Sequence, residues 1–477
     1  MGKVLRRILP PASTEGFREQ VPCECQWMGR LHVQSSPRVE SRRAGMLSPR
    51  ERRLAWAAVG LGLCTWTASL SSAQLLGPEF RVNSYTTGSQ SEPAVAGDAS
   101  GNFVVVWRND PLGFDSDISG QRFDSAGLPV GDEILVNSYL PHSQWYPKAA
   151  ILTSGDFVAT WSVYDEYEVL GRRFDGTGLP LGGDFQVNTY STFQQYNSAV
   201  AARSDGGFVV VWNSFGQDGS YSGVFGQLFS PNGAPDGSEF QVNAYTTGHQ
   251  LRPAVAVSGS DGFVVVWSSD RAQDGSGDGV FGQRFNSTGS PDGPEFRVNS
   301  FTTGSQYGGV VASASSGEFV VVWRSDDQDG DNRGIFGQRF DADGTPAGSE
   351  FRINSYTTGS QDQPAIAADA SGDFVVVWQG LGAGETPLDI LGQRFDPLGI
   401  RRGSEFRVNT FTLGFQHEAT IAASGGGEFV VAWTSYPVQD GSYGGVFGQR
   451  LVPPLFADGF EAAHACAWSV ANGGGCP

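Results

Sequence analysis

EFRVNSYTTGSQSEPAVAGDASGNFVVVW, residues 79–107, followed after a short loop by ISGQRFDSAGLPVGD, residues 118–132, is one of seven copies of a single unit. Its asparagine recurs at Asn83, Asn137, Asn188, Asn243, Asn299, Asn354 and Asn409, at spacings of 54, 51, 55, 56, 55 and 55 residues. A glutamine follows each asparagine by 7 residues (Gln90, Gln144, Gln195, Gln250, Gln306, Gln361, Gln416). A tryptophan follows by 24 (Trp107, Trp161, Trp212, Trp267, Trp323, Trp378, Trp433). The glycine of the GQRF-like segment precedes the next asparagine by 17 every time, so all length variation falls between the tryptophan and that glycine. One connection is free to vary, and the rest of the unit is geometrically fixed.

Each unit holds four strand-like segments. FVVVW at 103–107 is a β-branched and aromatic run suited to a strand buried on both faces. AVA at 94–96 precedes it and ends in the turn signal Asp98-Ala-Ser-Gly101. ISGQRF and the FRVN-like segment complete the set. No stretch carries a capped apolar stripe of helical period. Four strands in about 55 residues, seven times over, predict an all-β chain: a seven-bladed β-propeller of four-stranded antiparallel blades. Small residues fit where blades crowd the axis, so the expected order outward is AVA, FVVVW, GQRF, FRVN. The chain enters with FRVN and its last unit ends with FGQRL, so the first FRVN is expected to complete the last blade and lock the ring.

The chain of 477 residues is divided in charge. Residues 1–73 carry a net +6 and the remainder −25, with Lys148 the only lysine after residue 73. That balance excludes a nucleic-acid partner. Residues 46–73 read as a signal peptide: Met46, a basic stretch with Arg50, Arg52 and Arg53, an apolar run Leu54–Leu70, and Ser71-Ser72-Ala73. The expected organisation is an upstream segment 1–45 outside the translated protein, a signal peptide 46–73, the propeller 74–452 and a tail 453–477. It implies a secreted or cell-surface monomer with no membrane span after cleavage. In an oxidising compartment Cys466 and Cys476, in the Gly-rich tail, can form a disulfide.

Residues repeated in every blade read as structural: Trp as a wedge between blades, Asn and Gln as satisfiers of backbone groups. Function is sought where units depart from the pattern. The variable loops hold Asp218, Asp274, Asp327, Asp329, Asp331 and Asp440, with Tyr221 and Tyr443 beside them, and His142, His249 and His417 lie within two residues of the fixed glutamines. Asp327, Asp329 and Asp331 with neighbouring carbonyls suit a calcium ion, the one cofactor expected; Asp-Gly pairs equally suit tight turns. The tyrosines suit stacking on sugars. No nucleophile elbow, zinc-protease helix, phosphate loop or dinucleotide fingerprint is present.

The FVVVW…QDGS…VFGQRFD pattern resembles tandem repeats of large secreted bacterial proteins, which stand beside adhesion-type or calcium-binding modules. The resemblance covers residues 80–451 and implies export and surface presentation. The tail from Leu455 to Ser469 looks like a short motif of exported bacterial proteins, from which Cys466 departs. The leading expectation is a non-catalytic propeller that binds an extracellular glycan, protein or surface component. The alternatives are a hydrolase or lyase working at the channel mouth and a structural extracellular module.

Overall fold

The structure is a computed structural model. It describes residues 75–452 apart from 112–114, 165, 260–261, 271–272, 382–387, 438 and 442. The segments 1–45 and 46–73, the tail 453–477 and the Cys466–Cys476 pair lie outside the described residues.

The described chain forms seven antiparallel sheets of four strands and no helix. Blade 1 shows the plan. Its inner strand is Ser89–Gly97, followed outward by Phe103–Asp110, Asp117–Phe123 and Pro129–Leu135. The inner strands pack on one another in chain order, and the ring closes where Ser89–Gly97 meets Phe415–Ser424 of blade 7. The expected strand order therefore holds, and so does the lock. Leu75–Arg81 is the outer strand of blade 7 and pairs with Gly445–Leu451, Phe80 facing Gly448. The two ends of the described chain share one sheet, which removes an open edge.

The core is divided into wedges between blades. Trp161 of blade 2 packs with Val104, Val106, Ile118 and Val136 of blade 1, and Trp433 of blade 7 packs with Val375, Val377, Ile390 and Val408 of blade 6. Trp107 closes the circle against Val430, Ala432 and Val446 of blade 7. All seven tryptophans are fully buried. The GQRF glycine makes room for the outer strand's phenylalanine: a Cβ on Gly448 would lie 2.6 Å from the Phe80 ring, and one on Gly226 would lie 2.7 Å from Phe240.

Within each blade the strands run so that two sets of connections emerge on one face. One is the variable loop after the tryptophan strand, and the other is the crossing from an outer strand to the next inner strand. That face carries the site.

Candidate functional site at the channel mouth

The repeated polar residues build the face. Each asparagine side chain bridges two elements. Asn137 Oδ1 accepts from the Ile118 N–H at 2.7 Å, and its Nδ2 donates to the Tyr139 carbonyl at 2.9 Å. The same pair of bonds recurs at Asn83, Asn188, Asn243, Asn299, Asn354 and Asn409. Glutamines such as Gln90 and Gln306 donate to carbonyls three residues back, at 3.0 and 3.1 Å. Buried backbone groups of the crossing are thereby paired.

The aspartates of the variable loops join this scaffold. Asn243 Nδ2 donates to Asp218, Asn299 to Asp274, Asn354 to Asp329 and Asn83 to Asp440, at 2.9–3.3 Å. Each such aspartate sits over a glycine backbone; a Cβ on Gly445 would come within 2.5 Å of the Asp440 carboxylate. Asp331 accepts from the side chain of Asn332 and from the Gly359 N–H, while Asp327 holds a left-handed turn at φ 59°. Of the three aspartates of the calcium expectation, Asp329 and Asp331 thus have separate hydrogen-bond partners, and Asp327 shapes the turn through its backbone. Among the described residues no group of three or more His, Cys, Asp or Glu converges in a geometry that could hold a metal.

A carboxylate four residues before each asparagine escaped the sequence reading. Glu133 accepts from the Ser84 N–H at 2.9 Å, clamping blade 1 to the crossing that precedes it. Asp184, Glu239, Glu295, Glu350, Glu405 and Glu79 repeat this on Ser138, Thr189, Ala244, Ser300, Ser355 and Thr410. Seven acids are therefore committed to joining blades, and their fixed place in the repeat was the available signal.

The three histidines are not brought together. His142 lies 3.6 Å from Glu166, and His249 contacts the Ser222 hydroxyl at 3.2 Å and stacks near Tyr221 at 4.8 Å. Tyr221 thus belongs to an aromatic group with Phe215, while Tyr443 stands 71% exposed. His417, on the inner strand of blade 7, lies 3.6 Å from Glu418.

The centre of the face was not among the expected site residues. Every inner strand has a β-bulge directly opposite the wedge tryptophan; in blade 1 the register passes from Ser91–Arg108 to Ala94–Val106. The first bulged residue is left-handed in all seven blades: Glu92, Tyr146, Asn197, Arg252, Gly308, Gln363 and Glu418, with φ between 50° and 70°. Only one of them is glycine, so six blades carry a conformation that L side chains rarely adopt. Bulges re-aim side chains and are frequent beside active sites. In three interfaces the bulge N–H is capped by the residue after the previous blade's tryptophan: Asn213 caps Arg252, Ser268 caps Gly308 and Gln379 caps Glu418. Between blades 7 and 1 and between 1 and 2 the bulge acids take over. Glu418 Oε2 accepts from the Glu92 N–H at 2.9 Å, and Glu92 Oε2 accepts from the Tyr146 N–H at 2.8 Å.

These side chains share one electrostatic environment across four blades. Burial pushes the Glu92 carboxyl above the usual carboxylate range and Glu418 adds to the rise, against the Tyr146 N–H, Arg108 and Lys148. Arg108 Nη1 stands 3.4 Å from Glu92 and its guanidinium lies 3.8 Å over the Trp145 ring. Lys148 occupies an inner-strand position that is Ala, Val or Thr in every other blade. Protein walls lower its pKa although water reaches it; Glu92 and Glu418 pull the other way and Arg252 reinforces the drop. Lys148 thus lies within electrostatic reach of Glu92 on blade 1, Glu418 on blade 7 and Arg252 on blade 4. The Tyr146 hydroxyl is likewise raised, first by burial and then by Glu92.

No family model matches the sequence, and no curated protein does. Solved structures resemble the propeller. A protein of unknown function from Dyadobacter fermentans is 10% identical with a TM-score of 0.49, over 80% of this chain and 99% of that one. An α-L-arabinanase from Penicillium chrysogenum is 14% identical with a TM-score of 0.45, over 64% and 92%. An α-L-arabinofuranosidase from Fusarium graminearum is 10% identical with a TM-score of 0.45, over 78% and 98%. At these identities the likeness concerns architecture alone. It nevertheless corrects the expectation of a non-catalytic binding module: glycoside hydrolases stand among the neighbours, so a ring of this kind is no sign that catalysis is absent.

Proposed function

We propose that the chain is a secreted propeller hydrolase or lyase whose active site is the channel mouth, with Glu92 and Glu418 as its acid–base pair. The observation that supports this best is the paired bulge. Two carboxylates on adjoining blades, in strained left-handed conformations, lie beside a lysine and an arginine with the Glu92 carboxyl raised. A carboxyl raised by burial beside a second carboxylate in a cleft is a usual sign of an acid–base site.

The roles follow from the contacts. Glu92 is the proton holder, since burial disfavours its charged form. It would protonate the leaving oxygen as the scissile C–O bond breaks. Glu418, a third exposed and held by Thr434 and the Glu92 N–H through Oε2, leaves Oε1 with no protein partner among the described residues. That oxygen would take the proton from an attacking water or from the carbon next to the breaking bond. Export rests on the segment 46–73.

The test is turnover of a broad set of oligosaccharides and ester or peptide substrates by the full chain and by Glu418→Gln. Turnover that falls on the order of 100-fold or more in the variant, with unchanged melting, supports the proposal. Turnover that survives the substitution removes Glu418 from the chemistry, and no turnover of any substrate overturns the reading.

A further inference from the structure

Blades 2 and 3 carry aromatic side chains at positions that are filled differently in other blades. Three residues after the wedge tryptophan, blades 1, 4 and 5 have Asp110, Asp270 and Asp326, whereas blades 2 and 3 have Tyr164 and Phe215. Two residues before the fixed glutamine, five blades have a left-handed glycine: Gly88, Gly248, Gly304, Gly359 and Gly414, with φ from 75° to 82°. Blade 2 puts His142 there and blade 3 Phe193, at φ 64° and 62°. Glycine takes that conformation without strain, and a bulky side chain does not. Packing offsets little of the strain at Phe193, which is 60% exposed and meets Phe215 edge-on at 5.9 Å. Strain held by an exposed apolar side chain is the mark of a functional surface.

An unbroken series of contacts joins these rings to Glu92. Arg108 Nη1 lies 3.4 Å from the Glu92 carboxylate, and the guanidinium lies 3.8 Å from the centre of the Trp145 ring. Trp145 stacks with Tyr164 at 5.4 Å, the two rings 24° from parallel. Tyr164 opens the variable loop of blade 2 and is 59% exposed. Further along that loop the Tyr167 carbonyl accepts from the Gln195 N–H at 2.9 Å, two residues after Phe193.

The chemistry of this surface selects its ligand. The one cation of the stack, Arg108, is committed to Glu92 and Asp110, at 3.4 Å each. What the stack offers a ligand is therefore ring faces and hydroxyl edges, not a charge. Such rings suit a partner with C–H groups on its faces and hydroxyls around its rim, which describes a neutral sugar. Rings spread over two blades suit a chain of sugars.

We propose that blades 2 and 3 bind a neutral glycan chain, with one sugar stacked on Tyr164 beside the Glu92 site and another further along on Phe193. The inference rests on the channel-mouth reading above and names its substrate class, a neutral polysaccharide.

The experiment is calorimetric binding to the full chain carrying Glu418→Gln, so that bound glycans are not consumed. The probes are cello-, xylo-, manno- and arabino-oligosaccharides of increasing length, with polygalacturonate as the anionic comparison. Two ring variants are added in the same background. Phe193→Gly gives blade 3 the residue of five other blades, and Tyr164→Asp gives blade 2 the residue of blades 1, 4 and 5. Each variant should weaken the longer neutral oligosaccharides by about tenfold. Phe193→Gly should leave the shortest ones unaffected and melt at or above its background. Unchanged affinity in both variants, equal binding of polygalacturonate, or no binding of any neutral series overturns the proposal. So does a dimer in sedimentation that Phe193→Gly dissociates, since a second copy of the chain would then cover the rings. Binding without any turnover by the parent would retain the surface and remove the acid–base reading; turnover of neutral glycans undiminished by either ring variant would do the reverse.

Discussion

Two rings of seven residues sit opposite each other in this propeller, one of tryptophans on the second strands and one of bulged residues on the inner strands. The tryptophan ring is the same residue seven times, fully buried, and each copy fills a wedge between blades. The bulge ring shares one backbone conformation and almost no side chains: Glu, Tyr, Asn, Arg, Gly, Gln and Glu. Packing demands identity, because each interface presents the same hole. Chemistry at an axis needs each group once, so identity is lost where the side chains converge. The contrast separates residues that hold the ring from residues that work in it.

That contrast is broken most severely by opening the ring. Removing residues 75–81 strips the outer edge of blade 7, together with the Glu79 clamp on Thr410. Calorimetry should show a fall in melting temperature larger than that of any single substitution in the ring; melting like the parent would mean that closure contributes little.

Next comes a single wedge. Trp212→Ala should cost about 3–5 kcal/mol in denaturant unfolding, the range for a large buried aromatic removed from a core. Asn243→Ala should cost less, about 1–3 kcal/mol, because it leaves the buried Val224 N–H without its acceptor. A stability change for either variant below the error of the measurement would show that the repeat positions do not carry the fold.

The fold is readable from the sequence because its constraints repeat. The offsets of Asn, Gln, Trp and Gly define blade length, strand order and the locking strand, each set by packing that recurs seven times. The candidate site is much less readable. Asp218, Asp274, Asp329 and Asp440 look like ligands since a sequence shows their charge and not their asparagine partners. The histidines look convergent because each lies within two residues of a fixed glutamine, yet their contacts are separate: Glu166 for His142, Ser222 for His249 and Glu418 for His417. Glu92, Glu418 and Arg252 do not stand out because a left-handed bulge leaves no residue signature when six of its seven occupants are not glycine. The trace that is present is the variable stretch just after each fixed glutamine, of which the bulge residue is one column, and the lone Lys148 two residues beyond that column.

The smallest effect sharpens the comparison through pH. The Glu92 pKa is raised in the folded state, by burial first and then by Glu418, against the Tyr146 N–H, Arg108 and Lys148. The folded protein therefore holds this proton more tightly than the unfolded chain. Its contribution to stability is complete below the ordinary glutamate pKa and is lost as pH rises through the raised value. Glu92→Gln keeps an acceptor for Tyr146 and has no proton to lose. Its stability should fall less than the parent's over that window, followed by melting at a series of pH values; parallel curves would show that Glu92 titrates as an ordinary glutamate.

The central claim is that the bulge ring carries function while the tryptophan ring carries the fold, and one paired measurement tests it most directly. Turnover and melting temperature are recorded together for the parent, Glu92→Gln and Trp212→Phe on whichever substrate the parent cleaves. Turnover should drop by about 100-fold or more in Glu92→Gln with melting near the parent's, and Trp212→Phe should show lowered melting with turnover kept below that melting point. Full turnover in Glu92→Gln, or loss of turnover in Trp212→Phe while still folded, would contradict the claim.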